Sequence, residues 1–331
     1  MAPVALARAL AMVRFGAAGA TEAELLRTVP QAGPAYESST LRVANRLWIQ
    51  KGYRPRADYL KRLQAAGLLV PSFHDFVRAG ERARKAIDLW VDRVTDGQVR
   101  DLLPSGSLGP STRMVLTSTA SFKGRWKIGF DPTLTAERPF RSPSGRSAAN
   151  FMTQRARLGY LETPRLQVVE LPFGGNRLSM VLFVPRSVTG LAALEGSLDP
   201  DYFASCCAQL RSTEVLVHLP RFKLAHALAL KDALGALGIP SPFGAEANFA
   251  RLTDGRGLRL AKVVHEAVVE VDESGTRPNA TRSAVDAVYE GRLADAGVRE
   301  VRADHPFLFV VREAASGSIL FIGRVEDPAS S

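Results

Sequence analysis

VVHEAVVEVDESGTRPNATRSAVDAVYEGRLADAGVREVRADHPFLFVV, residues 263 to 311, is the stretch whose reading decides the fold. Val263–Val271 and Phe307–Val311 are apolar runs rich in β-branched and aromatic residues, the signature of buried strands. Between them lie 28 residues, Glu273 to Glu300, with Gly275, Gly291, Gly297 and Pro278 and only scattered apolar side chains. Connections longer than about 15 residues are uncommon inside a domain unless they carry function or are disordered. This one leaves a strand through the turn-prone sequence DESGT, so it reads as a long exposed peptide that a protease can cut.

Working outward, six segments keep one order along the chain. They are FKGRWKIGFDP (Phe122–Pro132), VVELPFGGNRLSMVLFVP (Val168–Pro185), LPRFKL (Leu219–Leu224), ALGALGIPSPFGAEANFARLTD (Ala233–Asp254), HEAVVEVDESGT (His265–Thr276) and HPFLFVVREAASGSILFIGRVEDP (His305–Pro328). Together they resemble the serpins, serine protease inhibitors with a mobile reactive loop, and the last is most similar to the plasminogen activator inhibitor and nexin branch. The resemblance implies an α+β serpin fold of three β-sheets with surrounding helices and an exposed reactive loop at about 273–300. It also implies a suicide-substrate mechanism: a protease serine attacks the loop, forms an acyl-enzyme, and is trapped when the loop inserts into the main sheet.

The resemblance assigns roles residue by residue. The hinge falls on Glu273, Gly275, Thr276, Arg277, Pro278, Ala280 and Arg282. The family favours small residues there, and alternation from Thr276 puts Pro278, Ala280 and Arg282 on the inward side. A central-strand proline lacks a ladder donor and a buried unpaired arginine costs several kcal/mol. Both slow insertion, so the alternative reading is a non-inhibitory serpin-fold binding protein or a protease substrate. Family spacing from Glu273 puts the reactive bond at Tyr289–Glu290, and the longer loop admits Arg292–Leu293, which suits a trypsin-like protease. His265 and Ser118 mark a sheet gate. Ser118 replaces the family's usual Asn and Ala2 and Ala5 its usual serines, so the gate is expected to be weakened. Asn279-Ala280-Thr281 is a glycosylation sequon.

Composition sets the remaining bounds. At 331 residues and 46% hydrophobic, with no linker, the chain reads as a single domain, 1–331. The formal net charge of +10 fits either a solvated arginine-rich surface or attraction to polyanions such as heparan sulfate or nucleic acid. No five like charges are consecutive, so no local motif favours the second. Cys206 and Cys207 are adjacent and too close for ordinary disulfide geometry. The five histidines are scattered, giving no metal-ligand spacing, and no cofactor is expected. No nucleophile motif such as GxSxG frames a serine, which argues against an enzyme. The expected partner is a serine protease, with no membrane and a monomeric state. MAPVALARALAMVRFG lacks a signal peptide. Against the family it resembles, the first helix and strand are missing before it, which implies either a truncated N-terminus or a core that lacks them, and about a helix and a half is missing between Thr28 and Val43. An extracellular, secreted glycoprotein is implied by resemblance only, and an intracellular location stays open as the alternative.

In chain order the pattern predicts a helix at 4–15 and a second through Leu26 opened by a Thr21/Glu24 capping box. A helix at 55–67, a strand at 69–76 and an amphipathic helix at 80–97 follow, the last with Ala83, Ile87, Trp90 and Val94 on one face. Strands are expected at 114–126, 168–173, 178–184, 213–219 and 318–325. The hairpin turns at Gly174–Asn176, and a short helix at 228–237 closes on Gly238.

Overall fold

The computed structural model describes residues 1–29, 40–274 and 297–330. The chain opens with α1 (Pro3–Gly16) and α2 (Gly19–Thr28), then β1 (Leu41–Gln50), α3 (Ala57–Ala65), β2 (Ser72–His74), α4 (Phe76–Val94) and β3 (Met114–Lys123). Four strands follow: β4 (Ala136–Ser142), β5 (Gly145–Glu162), β6 (Leu166–Pro172) and β7 (Leu178–Pro185). Next come α5 (Leu191–Ser197), α6 (Pro200–Ala208), β8 (Arg211–Pro220), β9 (Phe222–Ala229) and α7 (Lys231–Ala236). The last strands are β10 (Leu260–Val271), β11 (Arg299–Arg302), β12 (Phe307–Glu313) and β13 (Ile319–Val325).

Packing divides the chain into two units, Met1–Phe122 with Ala225–Val268 and Lys123–Leu224 with Val269–Ser331. A five-stranded sheet runs in the order β2-β1-β3-β10-β9. In the first unit its period-2 alternation feeds two cores. Leu47, Ile49, Met114, Leu116 and Val263 pack with Leu10, Met12 and Val13 of α1. Their neighbours Trp48, Val115, Val264 and Val268 pack on the opposite side with Ala83, Ile87 and Val91 of α4. Each fully buried aliphatic side chain of this kind is worth about 2 kcal/mol. Asp75 caps α4 by accepting the Arg78 N–H at 3.0 Å.

The second unit is built on a sheet ordered β11-β8-β5-β6-β7-β12-β13, with β4 paired to β5. The β6–β7 hairpin turns where Gly175 and Asn176 take φ of 82° and 56°, a left-handed pair that the GGN sequence supplies cheaply. Leu191, Leu194, Phe203 and Cys206 of α5 and α6 cover Val168, Val181, Phe183, Leu308 and Val310. Cys206 and Cys207 are free thiols, the first buried and the second half-buried.

The α+β class holds, with several local differences. The described strands form two hydrogen-bonded sheets rather than three, because the 18-residue β5 pairs in turn with β4, β8 and β6 and joins what would be separate groups. Thr21 is not a cap: Ala18 holds that position, and the Thr21 hydroxyl instead accepts the Asn248 N–H at 3.0 Å. The 69–76 strand shrinks to three residues and α4 starts at Phe76, because the Asp75 cap begins the helix early. Leu228 and Ala229 extend β9, so the helix predicted from 228 begins at Lys231. β11 takes its first two residues from the end of the polar run; it pairs in parallel with β8 at Arg299↔Val215 through Arg302↔His218. The connection from β10 to β11 is therefore residues 272–298. Among the described residues no helix is long and apolar enough to cross a membrane, and no cluster of His, Cys, Asp and Glu is placed to hold a metal.

Candidate functional site

The site lies where β3 and β10 leave the sheet, because the long connection starts there. β3 ends at Lys123, whose Nζ reaches Glu270 Oε1 at 2.5 Å and Asp272 Oδ2 at 3.1 Å. Three residues on, the Trp126 indole N–H donates to the Asp272 carbonyl at 2.8 Å, and its backbone N–H donates to the Ser274 carbonyl at 2.9 Å. Packing fixes the Trp126 ring in place: it is buried, stacked on Phe173 at 4.5 Å and edge-on to Phe130 at 5.8 Å. Lys123 and Trp126 thus form a latch of four contacts from the end of β3 to the end of β10.

Glu273 is fastened differently. Its buried carboxylate accepts from Arg221 Nε at 2.6 Å and from the Thr135 hydroxyl at 2.5 Å. Arg221 directly precedes β9, the neighbour of β10 on the side away from β3, so this contact does not cross from β3 to β10. Burial pushes the Glu273 carboxyl up, but Arg221 and Thr135 outweigh it and hold the group below its ordinary range. At Asp272 burial again acts upward and is outweighed by Ser274 and Lys123. The Lys123 ammonium is raised chiefly by its bond to Glu270.

Further down the strands, β3 and β10 are direct neighbours. His265 is fully buried; its Nδ1 lies 3.0 Å from Ser118 Oγ and its Nε2 accepts the Ala2 N–H at 2.9 Å. Burial and then the positive chain terminus lower its pKa to about 4. The ring is therefore neutral with its proton on Nδ1, since a proton on Nε2 would face the Ala2 N–H donor. Asn45 Nδ2 donates to the Ala5 carbonyl at 2.9 Å. The backbone of Ala2, at the N-cap of α1, and that of Ala5 within the helix thus each supply one contact. Glu266, the next residue on β10, is buried too; with no cation paired to it among the described residues, burial pushes its carboxyl up to about 7.

The far end of the connection is anchored at β11. Glu300 Oε1 lies 3.0 Å from His218 Nε2 and 2.7 Å from Arg302 Nε, while Gln167 donates to the Glu300 carbonyl at 2.8 Å. His218 is also in contact with Thr153 and Arg138, at 3.1 and 3.2 Å. Burial first, then Arg138, brings His218 to about 4.

The structure therefore brings His265 to Ser118 and gives Glu273 a built socket. Gly275, Thr276, Arg277, Pro278, Asn279, Ala280, Arg282, Tyr289, Glu290, Arg292 and Leu293 lie outside the described residues. Sequence reasoning missed Lys123, Trp126, Thr135, Arg221 and His218 as site residues. Four of these five stand in or beside the quoted segments FKGRWKIGFDP and LPRFKL, but contacts spanning 52 to 147 positions leave no mark in local spacing.

The family profile described as Serpin (serine protease inhibitor) matches residues 1–328. The leukocyte elastase inhibitor of Sus scrofa is 34% identical over a 353-residue alignment covering 99% of this chain and 92% of that protein. The macrophage plasminogen activator inhibitor 2 of Mus musculus is 35% identical over 298 residues, 87% of this chain and 71% of that protein. Among solved structures, uncleaved ovalbumin superposes with a TM-score of 0.90 at 27% identity, over 99% of this chain and 92% of that one.

Proposed function

The chain belongs to the serpin family, and on that premise we propose that it inhibits a serine-type endopeptidase as a suicide substrate through the 272–298 connection. It performs no catalysis of its own. The observation that carries the proposal is the latch: β3 and β10 are hydrogen-bonded neighbours, closed at their exit by Lys123 and Trp126, and the connection begins at that exit.

The protease serine Oγ attacks the carbonyl carbon of the reactive bond, Tyr289–Glu290 or Arg292–Leu293. The peptide C–N bond breaks, the new amine takes a proton from the protease and leaves with the segment running into β11, and the loop's first half stays esterified. That half then enters between β3 and β10. One ladder is broken and two are made, a net gain of one. Along β3, ten residues long, this is about 10 kcal/mol at roughly 1 kcal/mol per bond. Entry must break the four latch contacts, whereas Arg221 and Thr135 can keep Glu273 on the β9 side and fix the pivot. Glu273, Gly275, Thr276, Arg277, Pro278, Ala280 and Arg282 form the hinge, and His265 with Ser118 forms a buried hydrogen-bonded gate between the strands.

Arg277, Pro278 and Arg282 favour a second reading, in which insertion is slower than ester hydrolysis and the chain is a binding protein or substrate. Incubation with trypsin, chymotrypsin and elastase followed by denaturing gels separates the two. An SDS-stable complex supports trapping; complete cleavage without complex supports the second reading. An extracellular role is proposed from the family resemblance alone, with an intracellular one as the alternative; peptide mapping of protein from its native source tests it, because a glycan on the Asn279 sequon would require passage through the secretory route.

A further inference from the structure

β1 carries two arginines on one side of the strand, Arg42 and Arg46, of which Arg42 pairs with Asp96. A guanidinium has five N–H donors. That of Arg46 makes no hydrogen bond and no ion pair among the described residues, and its Nε is buried. Aromatic rings hold it instead: Cζ lies 4.8 Å from the Trp90 ring centroid and 5.5 Å from that of Trp48. The rings are themselves fixed. Trp48 and Trp90 meet edge-on at 5.3 Å, the Trp48 indole N–H donates to Thr117 Oγ1 at 2.9 Å, and His74 lies edge-on to Trp48 at 5.3 Å. The carboxylates of the neighbouring α4 are engaged elsewhere: Glu81 and Asp88 with Arg84, at 2.9 and 2.6 Å, and Asp92 with Arg100 at 3.3 Å, while Asp75 caps the helix. Burial alone acts on Arg46 and lowers its pKa. Burial and then Arg46 lower that of His74, so the imidazole is neutral at pH 7.

We propose that Arg46, clamped between Trp48 and Trp90, binds the carboxylate of a small aromatic acid. Buried polar atoms without a partner are rare, and a planar carboxylate is the acceptor that matches the guanidinium fork. With Nε enclosed, the two terminal nitrogens are the donors that face the ligand. Charge sets its class. The site holds one uncompensated cation and so balances a monoanion, whereas a phosphate brings a second charge that nothing there offsets. The half-buried rings of Trp90 and His74 border the guanidinium and offer a flat organic body stacked or edge-on contacts. The site lies wholly within the first unit, between β1 and α4, and does not depend on how the 272–298 connection behaves.

The test titrates the intact protein with benzoate, with its neutral analogue benzamide and with inorganic phosphate, all at fixed ionic strength. Trp48 and Trp90 are two of the chain's three tryptophans, so intrinsic fluorescence reads the site. Benzoate is expected to give a saturable change with half-saturation at about 1 mM, and benzamide and phosphate to bind at least about tenfold more weakly. At about 10 mM, benzoate is expected to raise the melting temperature by about 2 °C. Arg46→Met keeps the stem on the indoles and is expected to lose both responses. Arg46→Lys keeps the charge without the fork and is expected to bind about three- to tenfold more weakly, which covers a methionine variant that fails to fold. The proposal is overturned by no saturable change up to about 20 mM benzoate, by benzamide or phosphate binding as tightly as benzoate, or by unchanged binding in either Arg46 variant.

Discussion

Lys123→Met removes the charged half of the latch while keeping the length and apolar stem of the side chain. In the closed sheet it deletes two ion pairs, to Glu270 at 2.5 Å and to Asp272 at 3.1 Å. Lys123 is about half exposed and its partners about a quarter, so screening limits each pair to about 0.5–1 kcal/mol, or about 1–2 kcal/mol together. A strand inserted between β3 and β10 separates the same groups by two interstrand spacings, about 9.6 Å, where nothing comparable remains. The substitution therefore acts on the uncleaved form alone. With an unfolding entropy near 0.7 kcal/mol/K for this length, the uncleaved protein is expected to melt about 1.5–3 °C lower and the loop-cleaved protein at an unchanged temperature. If the latch opens before the rate-limiting step of insertion, insertion quickens by about 5- to 30-fold and the trapped fraction of a test protease rises. Differential scanning calorimetry of both forms, with stoichiometry of inhibition, gives the reading. Equal melting losses in the two forms, or an unchanged trapped fraction, would refute the latch.

Four further expectations follow from single groups. Glu266 has a folded pKa raised to about 7, so its burial costs nothing below pH 4.5 and destabilises progressively as pH rises to 7; Glu266→Gln is expected to gain about 3 kcal/mol at pH 8 and nothing at pH 4, read by denaturant melts. His265 and His218, both lowered to about 4, act the opposite way: their contribution is complete above pH 6.5 and is lost as pH falls toward 4, by up to about 3 kcal/mol each, so His265→Gln is expected to flatten the acid limb of the stability profile. Pro278→Ala is expected to raise the trapped fraction, and an unchanged fraction on gels would exclude the proline as the brake. Arg292→Ala is expected to abolish reaction with trypsin-like enzymes while leaving the melt unchanged; persistent trapping would place the reactive bond elsewhere.

The buried strands of the five-stranded sheet were legible because a strand covered on both faces reads as a nearly continuous apolar, β-branched run, as in Val263–Val271. The α4 stripe of Ala83 and Ile87 was legible for the corresponding helical reason. β11 was not, since a four-residue edge strand with exposed Arg299, Glu300 and Arg302 carries no hydrophobic signal. The β4–β5 hairpin escaped in the same way, its first half alternating exposed and half-buried residues. Thr21 shows a different limit: its spacing to Glu24 satisfies a capping pattern, but the partners that win are Asn248 and Ser241, more than 200 positions away. At the site, His265 and Glu273 could be placed from their segment. Their partners could not, because Ala2 acts through its backbone and Arg221 reaches Glu273 across β9, and neither leaves a pattern in residue type.

The central claim is that the cleaved connection becomes a strand between β3 and β10. Its most direct test is to nick the connection with a catalytic amount of protease, purify the product with both fragments retained, and compare its melting temperature with that of the intact protein. A net ladder worth about 10 kcal/mol corresponds to a rise of about 15 °C at the same unfolding entropy. A rise of that order is the expected result; a nicked protein that melts at or below the intact one would contradict insertion.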